Sequence, residues 1–171
     1  MVANSSDRIA MLARQKFPIF HTQDLARLWD IENRNTLYTM LKRYTQRGLL
    51  FRVYKGLYSF IPIEKIDPLL LGIKALHGYA YVSTETVLVR EGIITQVIYN
   101  YTLIGSHSRH FQIGSYHFKS RKLKDEYLYN SSGIMEANGI LMATPERAIA
   151  DLLYFNPKAY FDGMKVVDFD E

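Results

Sequence analysis

Residues 33–48 read Asn-Arg-Asn-Thr-Leu-Tyr-Thr-Met-Leu-Lys-Arg-Tyr-Thr-Gln-Arg-Gly, and no other stretch constrains the fold as tightly. Leu37, Leu41 and Tyr44 recur at helical spacing and form one apolar stripe. Asn35, Thr39, Lys42 and Gln46 fall on the opposite face, with Tyr38 and Arg43 at its edges. Asn33 is placed to cap the first turn, and Gly48 stands where a left-handed C-terminal stop belongs. The pattern predicts a helix with an apolar back and a front made only of polar and cationic groups. Its plainest reading is an amphipathic surface helix. Its neighbours favour a recognition helix.

Beyond Gly48 the period drops. Residues 49–54 and 57–61 are rich in β-formers and flank Lys55-Gly56, which predicts a hairpin with a tight turn. Arg52, Tyr54 and Lys55 then lie near its tip. Upstream, Ser5-Ser6-Asp7 reads as a helix start, and Phe17-Pro18 as a break. Thr22 is expected to cap a second helix over 23–29 that buries Leu25 and Leu28. Three short helices and a two-stranded ribbon make a winged helix-turn-helix, whose third helix can enter a major groove. Arg34 and Asn35 are the expected base readers, through guanine and adenine edges, with methyl or apolar contacts from Tyr38 and Thr39. Thr22, Gln23, Lys42, Arg43, Arg52, Tyr54 and Lys55 complete the expected DNA-binding set.

Charge agrees with this division. Residues 1–60 hold ten Lys/Arg against four Asp/Glu, a net +6, whereas the remainder nets −2. The basic part is the candidate for a polyanion partner. With 171 residues, 48% hydrophobic and 22% charged, the chain has material for one domain or two small ones. It contains no cysteine, which excludes disulfides and thiolate zinc sites. The first residues lack the apolar segment of a signal peptide, and no apolar run reaches membrane-spanning length. A cytoplasmic protein without a membrane association is expected.

The second half reads as a mixed domain. Asp67-Pro68 opens a helix to Leu76, Tyr79 to Val82 is extended, and Ser83 caps a helix over 84–91 that Gly92 ends. Val97, Tyr99, Tyr101 and Leu103 are expected on one strand face, and Phe111, Ile113 and Phe118 in further strands. Ile140 to Ala143 makes a last strand. Thr144-Pro145-Glu146 then starts a helix whose Ile149, Leu152 and Leu153 face inward. The expected fold class is α+β: a winged helix-turn-helix over 1–62, then a smaller mixed α/β domain over 63–171, an antiparallel sheet plus helices.

No catalytic constellation is visible, neither a phosphate loop nor a nucleophile elbow. His107, His110 and His117 are the only metal-like group, and no carboxylate lies near them before Asp125. Polar strand positions explain them, so neither metal nor cofactor is expected. The paired acids Asp125-Glu126 and Asp168/Asp170/Glu171 lack the spacing of a metal nuclease and read as solvated loops. A nuclease or nucleotidyltransferase is the remaining alternative, and metal-dependent activity abolished by Asp151→Ala would revive it. Lys119, Arg121, Lys122 and Lys124 form a local basic run, either a solvated strand end, a second phosphate contact or a docking site for an acidic partner.

Several stretches taken in order carry a resemblance: Asp24-Leu25-Ala26; Leu41 through Gly48-Leu49-Leu50; and Arg52-Val53-Tyr54-Lys55-Gly56-Leu57-Tyr58. They are joined by Tyr81-Val82-Ser83-Thr84-Glu85-Thr86-Val87-Leu88 with Gly92-Ile93, and by Thr144-Pro145-Glu146-Arg147-Ala148-Ile149-Ala150-Asp151-Leu152-Leu153. Together they resemble the AbiEi-type antitoxins, the transcriptional-regulator half of abortive-infection (type IV) toxin–antitoxin pairs in antiviral defence. The resemblance implies a repressor that binds inverted repeats in double-stranded DNA upstream of its own operon. It also implies a second domain that counters a nucleotidyltransferase-like toxin encoded next door. By the same resemblance, the DNA-facing residues are Arg34, Asn35, Thr39, Lys42, Arg43, Arg52 and Lys55. The chain ends soon after the helix holding Asp151, where relatives often continue. The competing expectations are a stand-alone regulator without a toxin and a non-enzymatic winged-helix module that docks another protein.

Overall fold

Leu37, Leu41 and Tyr44 are all buried, as their spacing requires, and they form the back of helix α3, Arg34–Gln46. The computed structural model describes residues 5–161. The chain is mixed α+β, with seven α-helices and two sheets among the described residues, and it divides into two units at Asp67/Pro68.

The first unit contains α1 (Ser5–Ala13), β1 (Ile19–His21), α2 (Thr22–Leu28), α3, β2 (Phe51–Tyr54) and β3 (Leu57–Ser59). Its core gathers Leu12 of α1, Phe20, Leu25, Trp29, the α3 stripe, Leu50 and Tyr58. Both ends of α3 behave as expected. The Asn33 side chain accepts from Thr36 N at 3.0 Å. Gly48 has φ +69°, Leu49 N donates to Tyr44 O at 2.9 Å, and Gly48 N donates to Thr45 O at 3.1 Å. That pair of bonds satisfies the last orphan carbonyls of the helix.

Three local expectations change. Helix α2 begins at Thr22 rather than after it, so His21 holds the cap position and its N–H donates to the Asp24 carboxylate at 3.1 Å. The ribbon has three strands, not two, in the order β1-β3-β2, because Ile19–His21 pairs antiparallel with β3. A three-residue strand is too short to show alternation, and its partner lies about forty positions away. Residues 62–66, whose composition reads as a linker, also carry structure: Ile63–Lys65 is a 3-10 turn, and Ile66 is buried.

The second unit is the longer one, not the smaller. It contains α4 (Pro68–Ala75), β4 (Ala80–Val82), α5 (Glu85–Arg90), β5 (Tyr101–Gly105), β6 (Arg109–Ile113), β7 (Tyr116–Lys122), α6 (Asp125–Leu128), β8 (Ile134–Ala137), β9 (Ile140–Ala143) and α7 (Pro145–Phe155). The six strands run β6-β7-β5-β4-β9-β8. The sheet is mixed rather than antiparallel, because β4 pairs parallel with β9 and β5 parallel with β7. Hairpin β6–β7 sets this: its edge strand β6 pairs only with β7, so β7 returns parallel to β5. Helix α4 lies on the sheet through Gly72, where a Cβ would stand 2.6 Å from the Phe118 ring. Phe118 itself is stacked on Phe111 with ring centroids 5.0 Å apart.

Four further expectations are corrected here. Val97 and Tyr99 are not in a strand; they are 77% and 84% exposed, because alternation without a paired neighbour makes no sheet. Strand β8 went unforeseen, since only Ile134 and Met135 of its residues are strongly apolar. Ser83 does not cap α5; Thr84 takes that place at φ +51°, and the Ser83 hydroxyl goes to Asp151. Leu153 is not inward-facing but 38% exposed. Asp168, Asp170 and Glu171 lie outside the described residues. No helix among the described residues is long and apolar enough to cross a membrane.

Candidate nucleic-acid interface

Burying Leu37, Leu41 and Tyr44 forces the rest of α3 outward, because residues three and four apart share a face. Arg34, Asn35, Tyr38, Thr39, Lys42 and Arg43 are accordingly all exposed. Helix α3 contains no acidic residue. Among the described residues, none of Arg34, Lys42, Arg43, Arg47 or Arg52 is ion-paired. The front therefore offers amide, hydroxyl and cationic groups to whatever approaches it.

The hairpin adds a second cationic element. Arg52 is exposed while Val53 beside it is buried, and the β2–β3 register shifts between Arg52 and Tyr54. This bulge gives Arg52 and Tyr54 different aims from those a regular strand would give. Tyr54 is half-buried, and Lys55 is exposed at the turn closed by Gly56 at φ +65°. Thr22 and Gln23, from the start of α2, part company. Gln23 is exposed. Thr22 is turned inward: both its N–H and its hydroxyl donate to Gly56 O, at 2.9 and 3.1 Å. Its task is to fix the hairpin turn to the head of α2.

Sequence reasoning missed one flank. Arg47 follows Arg43 by one helical turn, and both line an open groove of about 690 Å³ between α1 and α3, together with Gln46, Arg8 and Ser5. The i, i+4 spacing of the two arginines was readable. Their convergence with Arg8 depends on how α1 packs, which no local pattern states.

In the second unit, Asp151 accepts from Tyr81 OH at 2.9 Å, from Ser83 Oγ at 2.7 Å and from Arg147 Nε at 3.0 Å. Burial, with the Asp151 carboxylate alongside, raises the Tyr81 phenol well above its ordinary value, so it stays a donor at neutral pH. The Asp151 carboxylate is thus buried and occupied. His107, His110 and His117 are exposed, and no His, Asp or Glu cluster suited to a metal occurs among the described residues.

No family model matches the chain, and no curated protein matches it. The chain is similar in fold to the crystal structure of the RV2827C protein from Mycobacterium tuberculosis, with a TM-score of 0.55 at 14% sequence identity. The similarity covers 86% of this chain and 59% of that one, so this chain spans well under two thirds of that protein's length.

Proposed function

We propose that the first unit is a winged helix-turn-helix that binds double-stranded DNA, with α3 entering the major groove and the β2–β3 hairpin serving as the wing. The observation that carries this reading is the exposed, acid-free front of α3, whose cations have no carboxylate partners among the described residues. Lys42 and Arg52 meet phosphates and supply sequence-independent affinity. Asn35 and Arg34 read base edges.

Together with the quoted sequence resemblance, this supports a cytoplasmic transcriptional repressor acting at an inverted repeat by its own operon. In that role two copies would bind half-sites one helical turn apart. The second unit would then serve as the antitoxin part, countering a nucleotidyltransferase-like toxin. The test is a duplex titration of the full chain at several salt concentrations. Affinity is expected to fall steeply with salt, and Lys42→Ala to lower the slope of log K against log salt by about one. Absence of duplex binding at low salt overturns the reading in favour of a protein-docking module.

A further inference from the structure

The groove between α1 and α3 lies on the side of α3 away from Arg34 and takes in part of the front, since Asn35, Thr39 and Gln46 line it too. Three arginines line it, Arg8, Arg43 and Arg47, and no acidic residue among those described does. Arg8 is held from behind: the Trp29 indole N–H donates to Arg8 O at 3.3 Å, and the Trp29 ring meets Tyr44 edge-on at 5.6 Å. Arg8 is half-buried, and its Nε is shielded from solvent. Among the described residues neither that Nε nor the shielded Ser5 Oγ has a hydrogen-bond partner. A partly desolvated guanidinium without a partner is costly, and the cost is relieved by an anion with several acceptor oxygens.

We propose that this groove seats a phosphodiester of the DNA backbone, so that Arg8 of α1 clamps the strand beside the one whose bases α3 reads. The proposal rests on the DNA-binding reading and extends it to an element outside the helix-and-wing pair. Arg8 and Arg47 are the new contacts; Arg43, already in the expected DNA-binding set, becomes a phosphate ligand. A guanidinium fork suits a phosphate bidentately, and the Ser5 hydroxyl and the Gln46 amide complete the cradle. The contact carries no sequence information.

The experiment is fluorescence anisotropy of a random-sequence duplex against the full chain, from about 50 to 200 mM salt. The variants are Arg8→Ala, Arg47→Ala and Arg8→Lys, with Lys42→Ala as the reference. Each arginine-to-alanine change is expected to lower the salt slope by about 0.9. The base preference found by selection from a duplex pool should stay unchanged, and Arg8→Lys should restore most of the slope. Arg47 is exposed at the helix cap, so its variant keeps the test open should Arg8→Ala unfold. Wild-type slopes in both arginine variants, with a reduced slope in Lys42→Ala, overturn the groove and leave the α3 reading intact. No duplex binding by the wild type overturns both. Inorganic phosphate binding that Arg8→Ala abolishes, with duplex slopes unaltered, reassigns the groove to a free anion and overturns the proposal.

Discussion

Arg147 has five N–H donors, and each has an acceptor: Asp151 for Nε, the Asn130 and Ser132 carbonyls for Nη1, and Tyr81 OH with the Tyr127 carbonyl for Nη2. Burial lowers its pKa, but Asp151 and Tyr81 outweigh that and raise it, so the guanidinium stays charged. Such an arginine has nothing left to offer a ligand. Arg8, Arg43 and Arg47 have the opposite environment, and the contrast separates a structural cation from a receptive one. Glu85 gives this scale its pH dependence. Burial raises its pKa, yet the neighbouring Thr84 side chain, its own N–H and the paired Arg121 together prevail and hold it below the ordinary 4.5. A depressed carboxylate contributes stability above its unfolded-state value and loses it as pH falls through the folded one. The Tm of the wild type is therefore expected to drop on acidification below about 4.5 more steeply than that of Glu85→Gln, in melts recorded across that range. Parallel curves would contradict this role.

At the scale of elements, α3 was legible from residues 33–48 because cap, stripe and stop all agree, and agreement across levels is what specifies a helix. Its stop is open to a clean test. A Cβ on Gly48 would meet nothing within 4 Å, so Gly48→Ala changes only the left-handed backbone preference. The variant is expected to lose about 1 kcal/mol in denaturant unfolding. Asp30, in the same position after α2 at φ +52°, should gain a smaller amount when changed to Gly. What was not legible has mostly one cause. β1 and the parallel pairings of β4 with β9 and β5 with β7 are decided by partners outside any local window, which no local period records; β8 pairs with its neighbour β9 but is too weakly apolar to announce itself. Ser83 shows the same limit: its type suits a cap, but a buried carboxylate 68 positions away takes its hydroxyl. Most of the expected interface residues stand exposed where the 3.6 period put them. Thr22 does not, because hydrogen bonding to Gly56 O outbids exposure at the head of α2.

At the scale of the molecule, charge and fold divide alike: the +6 of residues 1–60 belongs to the first unit, and the near-neutral remainder contains the whole of the second. The polyanion partner proposed for this chain is assigned to the first unit on that asymmetry. The central claim is that the front of α3 meets the duplex. It is tested most directly by mapping amide chemical shifts of the isotope-labelled full chain as duplex DNA is added. Perturbations are predicted to concentrate at residues 34–47 and 52–55, with Asn35, Thr39 and Lys42 among the largest. Shifts confined to residues 68–161, with the α3 amides unmoved, would contradict it.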